Sequence, residues 1–270
     1  MRVLISTSLI VLFFISVGHG SNSEVIMDGH GHIESYIYAN QDENYFIDTE
    51  LQVSIETFRY KRFFFNLDLV KETHMGRKYS SNMVFDPTRA HWSFGMFGRL
   101  EYTNYFFDLQ IHHDCFHDID RFRDNSVYWN SPRIGFGTMG YLEKNWYHKQ
   151  KEKTSEIVWK NKTDYYVLAG FYAPRGLSFQ KHHDYEFTLH TNLKYQVLQY
   201  KRLGIDLFLY NFWVSNNNDD FESQNRIDLN FTIYGNRGMM AVFIRHWFHD
   251  NQSIRNHKYH EWATGLHFGF

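Results

Sequence analysis

Residues 259–270 read Y-H-E-W-A-T-G-L-H-F-G-F, and their side chains alternate in character. Successive side chains of an extended chain point to opposite faces. One face would carry the row Trp262, Thr264, Leu266, Phe268 and Phe270. The other face would carry the row Glu261, Ala263, Gly265, His267 and Gly269. The stretch therefore predicts a final β-strand with one apolar face and one face of small or polar residues.

The same alternation recurs along the chain and predicts twelve strands in all. Residues 46–58 show it most cleanly, because Leu51, Val53 and Ile55 alternate with polar residues such as Asp48 and Glu50. This run is longer than most strands of soluble proteins. It matches the 9–11 residues that a tilted strand needs to cross a membrane.

The chain places Phe270 at the end of the apolar row. A terminal aromatic residue that closes an alternating strand resembles the C-terminal strand of bacterial outer-membrane β-barrels. The resemblance implies an all-β fold, a transmembrane antiparallel up-and-down barrel of about twelve strands. It also implies two partners, the lipids of the outer membrane and the barrel-assembly machinery, which would recognise the strand ending in Phe270. We expect the closing strand to pair with the strand near residues 29–39.

The composition agrees with a membrane barrel. The chain contains 26 Phe, 19 Tyr and 7 Trp, yet its mean hydropathy is −0.52. Many aromatic and many polar residues together are typical of a barrel with an apolar outside, a polar inside and rings at both interfaces. The net charge is −2, so there is no overall basic signal, and we expect no nucleic-acid partner.

The first residues, M-R-V-L-I-S-T-S-L-I-V-L-F-F-I-S, form a basic start followed by a short apolar run. We interpret residues 1–20 as a secretory signal peptide and residues 21–270 as a single barrel domain. Later in the chain no apolar run reaches the 18 residues of a helical membrane span. The predicted location is the bacterial outer membrane.

The connections between the predicted strands alternate in length. Short turns fall near residues 59–62, 102–104, 199–203 and 235–238, with longer polar connections between them. Such barrels have short periplasmic turns and longer outer loops. The connection at 142–156 is too long for the short side. We also expect strand six at 133–141, a connection at 116–131 before it, and a strand eight with Tyr185 outward and Glu186 inward.

The inward rows carry charges of both signs, which we expect to form a hydrogen-bonded network in the lumen. Its predicted members are Asp68, Arg99, Asp108, His112, Asp114 and Arg245. These residues predict a narrow pore or a structural barrel with a polar, charged interior.

Residues 111–121, I-H-H-D-C-F-H-D-I-D-R, are the densest reactive stretch. The spacing of His113 and Cys115, with Asn130 following, resembles outer membrane phospholipase A, which has a His-x-Ser pair and then an Asn. The resemblance implies a membrane-surface acyl hydrolase, a phospholipase or lipid A deacylase, with Cys115 as nucleophile, His113 as base and Asn130 orienting it. The sequence departs from that family in its cysteine, and in Phe116-His117 where the family has Asn-Gly.

A metal site is a further alternative, in which His112 and Asp114 would converge with Glu72 and His74 inside the lumen. No spaced metal-binding motif supports it, and the sequence predicts neither a metal nor a cofactor. The simplest interpretation of these residues is that they belong to the polar interior and rim.

Overall fold

The computed structural model describes residues 23–41, 45–76, 86–118, 127–142, 157–172, 185–216, 220–235, 238–252 and 258–270. The strands in chain order are β1 (Ser23–Tyr38), β2 (Ile47–Tyr60), β3 (Phe63–Gly76), β4 (Asp86–Glu101), β5 (Tyr105–Asp118), β6 (Val127–Thr138), β7 (Val158–Phe171), β8 (Tyr185–Tyr200), β9 (Leu203–Asn216), β10 (Phe221–Tyr234), β11 (Met239–Asp250) and β12 (Trp262–Gly269).

The strands form a closed barrel in which each strand pairs with its sequence neighbours and β12 pairs with β1. The closing pair is antiparallel, and its register runs from His32 opposite Gly269 to Tyr38 opposite Ala263. Gly31 and Phe270 extend the pair by exchanging two backbone hydrogen bonds of 2.9 Å. The predicted fold class and the predicted closing strand are therefore confirmed.

Two of the connections are two-residue turns. Lys61 follows β2 and Lys201 follows β8, with φ angles of 54° and 52° at the first turn position. A positive φ at this position matches the right-handed twist of the strands that the turn joins. Strand β1 begins and β12 ends at this same end of the barrel. We call it the periplasmic end and the opposite end the outer end, because short turns lie in the periplasm.

The outward side chains are mostly apolar. Leu109 is 65% exposed, Ile134 62% and Phe171 60%, and similar side chains face outward on most of the strands. Exposed apolar surface of this extent is unfavourable in water and is typical of a wall that contacts lipid. The outer wall therefore contacts the membrane lipids, as the sequence predicts.

Aromatic rings form a belt near the periplasmic end of strands β5–β7. Tyr105 stacks on Phe136 with ring centroids 5.5 Å apart, and Phe107 and Tyr165 pack on the same Phe136 ring at 4.9 and 5.9 Å. Aromatic rings with polar tips are favoured at the membrane–water interface. The belt therefore indicates where the lipid surface meets the barrel.

Two local sequence predictions are wrong. A register shift between Tyr185 and Phe187 turns Tyr185 into the lumen, where it is 6% exposed, and leaves Glu186 outside. An irregularity of this kind reverses the alternation on one side of it. Strand β6 begins at Val127, so Asn130 lies within a strand and not in the connection predicted at 116–131.

The predicted signal peptide, residues 1–20, and most of the long 142–156 connection lie outside the described residues. Among the residues that the structure describes, no helix is long and apolar enough to cross a membrane.

The inner wall is aromatic as well as polar near the outer end. We define a β5–β9 cluster as the buried residues Phe116, Trp129, Tyr172, Tyr185, Phe212 and Val214. We define a closing-strand cluster as Tyr36, Tyr38, Phe243, Trp247 and Ala263. Gly265 makes room for the second cluster, because a Cβ atom there would lie 2.6 Å from Tyr36 Cβ and 2.7 Å from Phe243 Cζ. Large rings therefore occupy part of the lumen that the alternation predicts to be polar.

Candidate functional site

Arg245 is the centre of one buried ion-pair group in the lumen. Its guanidinium donates two hydrogen bonds, of 2.8 and 2.7 Å, to the carboxylate of Asp228 on the neighbouring strand β10. A third bond reaches Glu34 on β1, across β12. The Arg245 side chain is 1% exposed, so this planar donor group connects three parts of the wall with almost no contact with solvent.

Arg99 and Asp108 form a second group on strands β4 and β5. The guanidinium donates bonds of 2.7 and 2.9 Å to the two Asp108 oxygens. Gln110 and Tyr166 donate further bonds to Asp108 Oδ2, at 3.2 and 3.1 Å. A buried carboxylate with this many donors is well satisfied, which agrees with a structural role.

Asp114 belongs to a third group that includes two residues absent from the predicted network, His91 and Arg133. His91 on β4 lies 2.8 Å from Glu72 and 3.2 Å from Asp114, one ring nitrogen to each. Arg133 donates a 2.6 Å bond to Asp114. The inward rows of the sequence contain the signal for both residues, because extending the alternation of strands four and six reaches them.

This geometry does not support the metal-site hypothesis. The Asp114 carboxylate is in contact with His91 and Arg133. The His112 ring lies 2.9 Å from Gln110 and 3.3 Å from Ser93. His74 lies apart from them, with its Nδ1 atom 2.7 Å from Asp48. Across the described ranges, no group of three or more His, Cys, Asp or Glu side chains is arranged to hold a metal ion.

Cavities of about 250 and 260 Å³ lie in the lumen among the residues that the structure describes. The first is bordered by charged residues that include Lys194, Asp206, Arg226, Asp228 and Arg245. The second is bordered by residues that include Asp68, Arg99, Gln110 and His112. The cavities account for the position of Asp68, which faces the second one.

Tyr141 borders both cavities, as do the wall residues Gln52 and Asn192. It comes from the connection after β6 and not from the barrel wall. Its ring stacks on Tyr166 at 5.5 Å, and the neighbouring Leu142 is 6% exposed. Part of the long periplasmic connection therefore enters the lumen, which strand alternation cannot reveal.

The outer wall brings together two of the three residues of the predicted acyl-hydrolase site. His113 on β5 and Asn130 on β6 are register partners, and His113 Nδ1 lies 2.8 Å from Asn130 Oδ1. An amide oxygen only accepts, so His113 donates this bond through its Nδ1–H group, and in the neutral ring Nε2 is then the acceptor. On the face that meets lipid, His113 is exposed and Asn130 is half-buried.

Cys115 is half-buried two residues further along the outward row of β5. Its Sγ atom lies 3.2 Å from Nε2 of His117, the next outward residue. The structure thus places Cys115 between two histidines, with His117 in contact and His113 held by Asn130. Sequence reasoning names His113 alone as the base.

No family model matches the chain, and no curated protein matches it in sequence. Outer membrane phospholipase A from Escherichia coli is a similar structure, with 8% identity, a TM-score of 0.51, and 91% of this chain and 98% of that chain covered. The Salmonella typhi outer membrane phospholipase dimer with bound calcium has 7% identity, a TM-score of 0.52 and 94% of each chain covered. An outer membrane channel from Pseudomonas putida F1 has 9% identity, a TM-score of 0.47, and 93% and 97% covered.

At these identities the two phospholipase structures show a shared fold and no more. The barrel is of the class found in bacterial outer membranes, so the class-level resemblance is confirmed. The fold and the lipid-facing outer wall support the predicted outer-membrane location.

Proposed function

We propose that this single-domain outer-membrane barrel is a narrow pore for small polar solutes, which Tyr141 of the connection after β6 narrows. The observation that carries the proposal is that Tyr141 borders both of the charged cavities. A barrel with a purely structural role can fill its lumen with the side chains of its strands. Here a connection also contributes a side chain to the lumen, and a connection can move without unfolding the barrel.

The charges bordering the cavities support a path for polar solutes. Lys194, Arg226 and Arg245 border the first cavity together with Asp206 and Asp228. Rings of charged side chains are the usual means by which a narrow pore favours one class of ion or solute over another. Because both signs are present, we expect weak ion selectivity.

Replacing Tyr141 with alanine should raise the single-channel conductance in planar bilayers severalfold, because the ring that borders both cavities would be removed. Tyr141→Phe is the matched control, since it keeps the ring and should conduct like the native protein. If neither the native protein nor Tyr141→Ala conducts at any tested voltage, the pore proposal is wrong and the barrel is structural, whereas equal conductance of the two would show that Tyr141 does not restrict the pore.

A second candidate is the acyl hydrolase, favoured by one observation, the 2.8 Å contact between His113 and Asn130. His113 Nε2 would take the Cys115 thiol proton, and the thiolate would bond to the ester carbonyl carbon. The ester C–O bond breaks, and the alcohol leaves with that proton. Water then hydrolyses the thioester, which releases the fatty acid and restores the thiol.

This candidate predicts phospholipid hydrolysis in mixed detergent micelles. Cys115→Ala and His113→Ala should each lower the rate by about 10³-fold or more, and Asn130→Ala by about 10²-fold. His117→Ala is the control and should retain activity. Activity that survives His113→Ala but is lost in His117→Ala would overturn the assignment of the base, and no activity in the native protein would overturn the candidate.

The assembly partner also belongs to the proposal. The final strand presents Phe268 and Phe270 outward, 42% and 48% exposed, at the seam of the barrel. We propose that this strand is recognised by the barrel-assembly machinery before the seam closes. Site-specific crosslinking from Phe268 to the purified assembly complex would test this, and the absence of any crosslink during insertion would contradict it.

A further inference from the structure

Arg226 is an arginine of β10 whose hydrogen-bonding capacity the wall leaves largely unused. Its Nε atom is buried and has no hydrogen-bond partner among the described residues, and it lies 3.9 Å from the Asp228 carboxylate. The guanidinium lies over the Tyr210 ring, 4.8 Å from the ring centroid. The Arg226 side chain is 22% exposed and borders the first cavity. Since a guanidinium has five N–H donors, a molecule in that cavity can accept hydrogen bonds from it.

The carboxylates around the same cavity have closer partners than Arg226. Asp228 accepts two hydrogen bonds from Arg245, at 2.8 and 2.7 Å. Asp206 Oδ2 accepts bonds from two hydroxyl groups, at 3.2 and 2.8 Å. The two glutamates that border the cavity are also engaged, one by Arg245 and the other by a histidine. The wall thus pairs its own carboxylates without a hydrogen bond from Arg226, which leaves this cation able to bind an external anion.

Three amide side chains border the cavity together with Arg226, those of Gln52, Asn192 and Asn230. Asn192 Oδ1 is buried and accepts no hydrogen bond within the part of the chain that the structure describes. Amide groups both donate and accept hydrogen bonds, and hydroxyl groups do the same. At about 250 Å³ the cavity is smaller than the usual pocket for a drug-sized ligand, which is about 300–1,000 Å³. The cavity therefore suits one small solute that carries hydroxyl groups.

We propose that the first cavity binds a small hydroxylated carboxylate, of the sugar-acid class, whose carboxylate pairs with Arg226 and whose hydroxyl groups bind the three amides. A planar carboxylate matches the planar fork of a guanidinium and can accept two hydrogen bonds from it. A phosphate with two negative charges fits less well, because the described residues around the cavity include four carboxylates and only three lysine or arginine side chains. The inference names the solute class of the proposed pore and rests on that proposal for its role, whereas the binding itself does not require conduction.

The first test measures binding to the native barrel in detergent by isothermal titration calorimetry, with sodium gluconate as the probe. We expect saturable binding with a Kd in about the millimolar range. Three comparison compounds should each bind at least about tenfold more weakly. Glucose lacks the carboxylate, acetate lacks the hydroxyl groups, and glucose-6-phosphate carries a second negative charge. No binding of gluconate, or equally strong binding of any of the three, would overturn the proposed ligand class.

The second test removes the guanidinium. Arg226→Gln should weaken gluconate binding at least about tenfold, and Arg226→Lys should weaken it less, because the charge remains and only the planar fork is lost. Both variants should fold, since the wall does not depend on Arg226. Arg59→Gln is the matched control, because Arg59 pairs with Glu56 and borders neither of the two cavities, so its gluconate binding should equal that of the native barrel. Unchanged binding in Arg226→Gln would overturn the site.

Conductance of the native barrel in planar bilayers separates this inference from the proposed pore. Gluconate binding that is lost in Arg226→Gln, without any conductance, would support the site and overturn the pore. Conductance without gluconate binding would overturn the site and leave the pore supported. If both hold, gluconate should reduce the current through the native barrel and reduce it at least about tenfold less effectively in Arg226→Gln.

Discussion

Replacing Arg245 with alanine is expected to lower the free energy of unfolding by about 3–5 kcal/mol, the largest effect that we predict for a single residue. Arg245 is 1% exposed and binds the carboxylates of both Asp228 and Glu34. Its removal leaves two buried negative charges without their main partner, and burying an uncompensated charge is costly. Urea unfolding of the folded barrel in lipid vesicles measures the loss.

Arg226→Ala is the matched control. Arg226 lies on the same strand as Asp228, but its Nε atom is 3.9 Å from that carboxylate and its side chain is 22% exposed. We expect a loss of at most about 1 kcal/mol, because a partly solvated pair contributes little. The triple variant Arg245→Met, Asp228→Asn, Glu34→Gln should also lose much less than Arg245→Ala, since no charge is left unpaired. If Arg245→Ala loses no more than Arg226→Ala, the ion-pair group does not hold the wall together.

Replacing Ile111 with arginine is expected to lower the stability of the inserted barrel by about 2–4 kcal/mol. Ile111 lies near the middle of β5 and its side chain is 50% exposed on the outer wall. In a soluble protein an arginine would be tolerated at such an exposed position. Near the centre of a bilayer it must enter hydrocarbon or distort the membrane, and this costs free energy.

Leu203→Arg is the control for depth. Leu203 is also 50% exposed, but it is the first residue of β9 at the periplasmic end. We expect a loss of about 0–1 kcal/mol there, because the charge reaches the interface. Urea unfolding in vesicles gives both values. Equal losses for the two variants would contradict the membrane position that we assign to the outer wall.

The twelve strands could be predicted from sequence because a strand places successive side chains on opposite faces. The alternation identified Phe268 and Phe270 as outward and His267 as inward, and the pairing of the last strand with residues near 29–39 followed from barrel closure. The prediction failed at Tyr185, since a register irregularity reverses the two faces and leaves no clear mark in the sequence.

The candidate sites were less predictable. The resemblance to outer membrane phospholipase A predicted that His113 and Asn130 act together. Only the register of β5 against β6 shows that they lie opposite each other. His91 was absent from the predicted network because its two partners lie on different neighbouring strands. Such contacts depend on how far one strand is shifted along another, which is a property of pairs of strands.

The sequence by itself determined a closed, twelve-stranded barrel with an apolar outside, because the period of two is a local property of the extended chain. Only the tertiary structure decided what fills the lumen. Tyr141 and Lys258 enter it from connections, and a connection has no periodicity that would indicate where its side chains go. The ammonium of Lys258 contacts Tyr36 and Asp48, which are 222 and 210 residues away along the chain, so these contacts form only once the barrel has closed.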